Sequence, residues 1–221
     1  MAPPSMEVIA IELPGRGSRF RENLLYEANL VVLDVFNQIK AKLETPYAIY
    51  GHSMGSLIGY LLAEKIKAEG LPEPIGLFFS GRGGPTIPRE NDFNYLLPKD
   101  LFVAKLKELN GTPDEVLDNE GLIAFFEPII RADFQCIETY EYKLGELLSI
   151  PIFIFIGVHE RTTYKEALAW KDVTTGEVSI QQFPGKHFFI FEFTADLLEM
   201  IAEKLKKITG QKNSKVSSKN F

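Results

Sequence analysis

The chain has 221 residues, 45% hydrophobic and 24% charged, the size and balance of one ordinary globular domain with a sizeable core. A formal charge of −6 argues against the basic face that nucleic acid or an anionic membrane would require. The single cysteine, Cys136, excludes an internal disulfide and a multi-cysteine zinc site, and reads as a small core residue in a reducing compartment. No apolar run approaches the ~20 residues of a membrane span and no signal peptide opens the chain, so the expected location is cytoplasmic.

In chain order, residues 6–11 predict a buried strand, followed by the turn-rich Glu12-Leu13-Pro14-Gly15-Arg16-Gly17. Across residues 22–43 apolar side chains recur at Leu24, Leu25, Ala28, Val31, Val32, Val35 and Phe36, which is helix spacing. Tyr47-Ala48-Ile49-Tyr50 then predicts a strand that runs into Gly51-His52-Ser53-Met54-Gly55, and residues 56–66 return to helix spacing. A nucleophile elbow needs this order of parts. Ser53 would sit on a cramped strand-to-helix turn, the two glycines removing Cβ atoms that would collide there. The helix N-terminus behind it would favour developing negative charge. Residues 74–80 predict another short buried strand, ending in Gly81-Arg82-Gly83-Gly84-Pro85. Strands alternating with helices imply a parallel sheet with right-handed crossovers, an α/β fold.

That rhythm breaks over residues 88–148, where no core strand is evident. Residues 100–109 are amphipathic, and Thr112-Pro113-Asp114-Glu115 reads as a capping box opening a new helix. Some sixty structured residues inserted between sheet strands predict a helical lid. The strand rhythm returns at residues 152–156, followed by a helix over residues 164–171, a strand over 177–183 and a last helix over 195–208. Residues 210–221 carry three lysines and no acid, and are expected to be a disordered tail to a domain spanning residues 1–209.

A serine needs a base to take its proton, and the base needs an acid to hold its tautomer. In this kind of fold the order is serine, acid, histidine. The chain has three histidines, His52, His159 and His187. His52 adjoins Ser53 and is expected to point away from it. His187 lies in a loop after the last strand, so elimination and position agree on it as the base. Just past the preceding strand, in Gly157-Val158-His159-Glu160-Arg161, Glu160 is the one carboxylate; Asp133 and Asp172 are the next acids to consider. The amide of Met54, directly after the serine, is the expected oxyanion donor.

Together these pieces resemble the type II thioesterases, free-standing editing hydrolases of nonribosomal peptide and polyketide synthesis with an α/β-hydrolase fold. Pro14-Gly15-Arg16-Gly17 looks like the family's PGRG loop, and Gly51-His52-Ser53-Met54-Gly55 matches its GHSMG elbow. Ser80-Gly81-Arg82-Gly83-Gly84-Pro85 is similar to its SGR-x-x-P segment, Arg131-Ala132-Asp133-Phe134 to its lid motif RADF, and Gly185-Lys186-His187-Phe188-Phe189 to its G-x-HFF end. The resemblance implies hydrolysis of acyl thioesters from the 4′-phosphopantetheine arm of an acyl or peptidyl carrier protein. The enzyme itself would hold no cofactor or metal. The lid would select the acyl chain and help dock the carrier protein.

The family's acid is usually an aspartate in G-x-x-D, and three positions after Gly157 stands Glu160. The family also has a further strand and glycine-containing loop before the position of Met1, which supplies a second oxyanion donor. N-terminal strands are therefore expected to be missing, which leaves three readings open: a truncated gene product, half of a split protein, or a family member that takes another donor from residues 81–84. Losing one donor costs about 10²–10³ in rate. The competing readings are a small-ester hydrolase with the same residues, and a hydrolase-like shell that binds a carrier protein or acyl chain without turnover.

Overall fold

The run Ile152-Phe153-Ile154-Phe155-Ile156 shows how the core is built. Successive side chains of a strand face opposite sides, so its isoleucines and phenylalanines separate. Ile152, Ile154 and Ile156 enter one apolar cluster, and Phe153 and Phe155 enter another. The neighbouring strand divides in the same way, Leu77 and Phe79 to the first and Phe78 to the second.

The structure is a computed structural model that describes residues 6–44, 46–88, 93–109 and 111–217, with side chains through residue 210. Strands β1 (Ile49–His52), β2 (Leu77–Ser80), β3 (Ile152–Gly157) and β4 (Val178–Phe183) form one parallel sheet in the order β1-β2-β3-β4. The helices are α1 (Ala28–Ile39), α2 (Met54–Ala68), α3 (Lys99–Leu109), α4 (Asp114–Leu117), α5 (Glu120–Glu138), α6 (Tyr164–Leu168), α7 (Phe189–Glu192) and α8 (Thr194–Ser217). Parallel neighbours cannot be joined by hairpins, so helical crossovers cover both faces. Val31, Val35 and Phe36 of α1, Leu57 and Ile66 of α2, and Trp170 fill one face. Phe189 of α7 with Leu197 and Ile201 of α8 fill the other.

Between β2 and β3 the described residues contain a 3-10 turn (Asn94–Leu96), α3, α4 and α5. This insertion has a small core of its own, built from Phe102, Leu106, Leu117 and Ile123 with Phe134 packed against it. Helix α5 docks on the main body, where Cys136 joins the first sheet-face cluster.

Four expectations are corrected. Residues 6–11 form no strand: Val8, Ile9 and Ile11 are exposed, and among the described strands β1 pairs only with β2. The segment has a strand's composition but, among the described residues, no neighbouring strand to complete its hydrogen bonds. Helix α1 begins at Ala28, because residues 22–27 are drawn into a loop where Arg19 donates to both Glu22 and Asp34. The box expected at Thr112 does not form, since the cap of the one-turn α4 is Pro113 with no side-chain bond. A capping box is found instead at Thr163 and Glu166, opening α6. Finally, α8 carries residues 210–217 as helix, whereas residues 218–221 of the expected tail lie outside the described residues.

Candidate active site

All four strands run in one direction, so the loops after their C-terminal ends gather at one edge of the sheet. Ser53 follows β1, Gly81 follows β2, Glu160 follows β3 and His187 follows β4.

Ser53 caps α2 with φ 52° and ψ −110°, and is the one non-glycine residue with positive φ among the described residues. Such a conformation costs of order 1–3 kcal/mol and survives only where neighbours hold it. They do. Ser53 N donates to Ser80 O at 2.7 Å, and buried Ser56 Oγ donates to Gly51 O at 2.9 Å and Ser80 O at 3.0 Å. A Cβ on Gly51 would lie 2.1 Å from Gly55 O, so that glycine is required. A Cβ on Gly55 would meet nothing within 4 Å. The expectation of two sterically necessary glycines holds for the first only. Met54 opens α2, and its amide is among those that helix geometry leaves without an intrahelical acceptor.

Glu160 and His187 come together as the sequence order suggested. Glu160 Oε2 lies 2.9 Å from His187 Nδ1, and Glu160 Oε1 accepts from Gly157 N at 2.7 Å. The carboxylate side chain is fully buried while His187 is 19% exposed, leaving the ring accessible and its partner dry. The longer glutamate side chain thus folds back on its own loop, using the amide three residues earlier as a brace. The other two acids are engaged elsewhere, Asp133 by Arg16 and Asp172 by Thr86 Oγ1 at 2.9 Å. Among the described residues no hydrogen bond joins Ser53 Oγ to His187. The histidine ring meets the elbow through His52 instead.

That contact was not legible in the sequence. His52, expected to point away from Ser53, lies with its ring centroid 4.8 Å from that of His187 and 5.2 Å from that of Phe188. Burial and the neighbouring imidazole push the His52 pKa down to about 3. The ring is neutral at ordinary pH. Gly81 (φ 66°) makes the pairing possible: a Cβ there would sit 2.7 Å from His52 Cε1 and 2.9 Å from His187 Cε1.

The expected substitute oxyanion donors are largely committed. Gly81 N donates to Phe155 O at 3.1 Å and Gly84 N to Glu166 O at 2.9 Å. The loop that holds Arg16 and the insertion interlock: Arg16 Nη1 and Nη2 donate to the two carboxylate oxygens of Asp133 on α5. Arg131 instead serves the insertion's own packing, donating to Tyr95 O at 2.7 Å and covering the Phe102 ring at 4.1 Å. A cavity of about 480 Å³ lies between the loop residues Gly15, Phe20 and Leu24 and the α5 residues Phe125, Pro128 and Ile129. It is not lined by Ser53, Glu160 or His187.

A strained serine at a strand–helix elbow, with a braced His–Glu pair at the same sheet edge, is the arrangement against which relatives can be compared. Residues 1–209 match the thioesterase domain family. The chain belongs to that family. It is 36% identical over 211 residues to the gramicidin S biosynthesis protein GrsT of Aneurinibacillus migulanus, covering 95% of this chain and 82% of that protein. Among solved structures, it is similar to the type II thioesterase BorB from the borrelidin biosynthetic cluster, with TM-score 0.81, 33% identity, and 89% and 80% of the two chains covered. ClbQ from the colibactin nonribosomal peptide/polyketide pathway superposes with TM-score 0.85 at 30% identity, covering 90% and 84%. The thioesterase fold is thus an α/β-hydrolase sheet with a helical insertion between β2 and β3.

Proposed function

We propose that this chain hydrolyses acyl thioesters from the phosphopantetheine arm of an acyl or peptidyl carrier protein of nonribosomal peptide or polyketide synthesis, with Ser53, His187 and Glu160 as its triad. The observation that carries the assignment is the His187 Nδ1–Glu160 Oε2 contact at 2.9 Å, braced by the Gly157 amide. It is supported by the named pathways of GrsT, BorB and ClbQ.

In this reading Nδ1–H of His187 donates to Glu160, which leaves Nε2 as an acceptor for the Ser53 proton. Ser53 Oγ attacks the thioester carbonyl, and its proton passes to Nε2. The Met54 amide stabilises the oxyanion, and the buried Glu160 carboxylate stabilises the imidazolium. Collapse expels the pantetheine sulfur, protonated by Nε2–H, and leaves an acyl ester on Ser53. Water then repeats the sequence, its proton going to Nε2, to release the carboxylic acid and restore the serine. The substrate brings the phosphopantetheine, and no resident cofactor is used.

A second reading has one observation in its favour. With the Gly81 and Gly84 amides committed to Phe155 and Glu166, the shell could take an acyl group and stall. One experiment separates the two. Carrier protein loaded with a radiolabelled acyl-pantetheine is incubated with the parent chain and with Ser53→Ala. Release of free acid by the parent alone supports hydrolysis; label held on the parent chain without release supports the stalled shell; equal release by both removes Ser53 from the mechanism.

A further inference from the structure

His187 is tied to Glu160 through one nitrogen, and a single hydrogen bond leaves a ring free to rock about its axis. What stops it is a seat with three sides. His52 packs at 4.8 Å with the planes 44° apart, Phe188 stands edge-on at 4.9 Å and 85°, and the bare Cα of Gly81 closes the floor. Of the three, His52 is the one held by side-chain polar groups. Its Nδ1 lies 2.9 Å from Ser80 Oγ, which lies 2.9 Å from the Tyr50 hydroxyl. Ser80 is fully buried and faces His52 in the β1–β2 register.

The other ring nitrogen makes the choice of residue informative. His52 Nε2 is buried and has no hydrogen-bond partner. A buried imidazole with one nitrogen unsatisfied is poorer for stability than a hydrocarbon ring of similar size. The property a hydrocarbon ring would lack is the anchor at Nδ1, which fixes the ring plane. A neutral ring also serves where a charged one would not, since an imidazolium beside it would otherwise be repelled. The low pKa of His52 agrees with this.

We propose that His52 is a positioning residue for His187, its ring plane set by the Tyr50–Ser80 hydroxyl pair, and that it acts on proton transfer and not on substrate binding. This rests on the reading of Ser53 and His187 given above. It extends the working site to a side chain of β1 and the hydroxyls behind it.

The test compares Ser80→Ala, Tyr50→Phe, His52→Phe and the double variant Ser80→Ala/His52→Phe with the parent. It uses acyl-pantetheine turnover, the rate of Ser53 labelling by a fluorophosphonate, and thermal unfolding. Each single variant should lower kcat and the labelling rate by about three- to tenfold, a fraction of the 10²–10⁴ that a general base supplies. KM should stay within about twofold, because the ring touches the base and not the substrate. The double variant should be no slower than the slower single, as expected when two residues act through one another. Losses that multiply in the double variant, that fall on KM, or that are absent in folded protein would overturn the proposal. If His52→Phe does not fold, Tyr50→Phe and Ser80→Ala decide, since Tyr50 is substantially exposed. Failure of the parent itself to label would overturn the serine mechanism and this inference with it. Labelling of the parent with unchanged variants overturns this inference alone.

Discussion

Arg16 and Asp133, 117 positions apart, meet as a two-pronged guanidinium–carboxylate pair with both N···O distances at 2.8 Å. One lies in the loop that leads into α1 and the other on α5, so the pair ties the insertion to the body. Arg16→Lys keeps the charge but cannot form the fork. It and Asp133→Asn should each destabilise by about 1–2 kcal/mol, the range for a partly exposed charge-assisted bond, and less at high salt. Denaturant unfolding at two ionic strengths reads this; no change in either condition would leave the pair ornamental.

Cys136 offers a way to watch the same contact. It sits on α5, 1% exposed, with burial and nearby Asp133 pushing its thiol up to about 12. Folded protein should therefore react with a thiol reagent near pH 8 orders of magnitude more slowly than unfolded protein. Arg16→Lys should speed that reaction well before global unfolding, because α5 lifts first. Equal labelling rates in parent and variant would show that α5 is held by its apolar face alone.

The two elbow glycines should behave as opposites. Gly51→Ala forces a Cβ to 2.1 Å from Gly55 O, so the turn must distort, and we expect a loss of more than about 3 kcal/mol or no folded protein. Gly55→Ala meets nothing within 4 Å in the first turn of α2 and should be neutral or stabilising by up to about 1 kcal/mol. Thermal melts of the two variants decide it, and a destabilised Gly55→Ala would reveal a neighbour at that position.

Acid stability carries a signature of His52. Its pKa falls from 6.5 to about 3 on folding, so between those values the unfolded chain binds a proton that the folded chain does not. Stability contributed by the neutral ring is complete above 6.5 and is lost as pH falls through that window, at about 1.4 kcal/mol per pH unit. Against His52→Gln, the parent should lose ground by that slope on acidification. Parallel stability–pH curves would contradict it.

Much of this architecture was legible because it is local. The Ile–Phe alternation of β3 and the apolar run of β2 show their strands directly, and a strand running through Gly-x-Ser-x-Gly into a helix marks the elbow. Glu160 and His187 could be singled out because few carboxylates and histidines stand after the right strands. Residues 6–11 misled, because pairing is a property of a neighbour and not of composition. Thr112 and Thr163 carry the same short capping pattern, yet only Thr163 stands where a helix cap forms. The His52–His187 contact depends on the missing Cβ of Gly81, and the Arg16–Asp133 pair closes across half the chain. Neither leaves a periodic trace in the sequence.

The small core of the insertion has a consequence for how such chains diversify. Phe102, Leu106, Leu117 and Ile123 shelter one another and not the sheet. The stretch that builds this core, residues 99–123, can therefore be rewritten as a block, whereas Gly81, which makes room for the His52–His187 pairing, and Asp133 with the docking side of α5 must be retained. Such a rewrite touches no strand register, but Gly111 has to stay bare, because a Cβ there would lie 1.9 Å from the Phe188 ring that flanks His187. Exchange of this module leaves the bond-breaking groups fixed, so two chains can share one chemistry beneath insertions of different sequence.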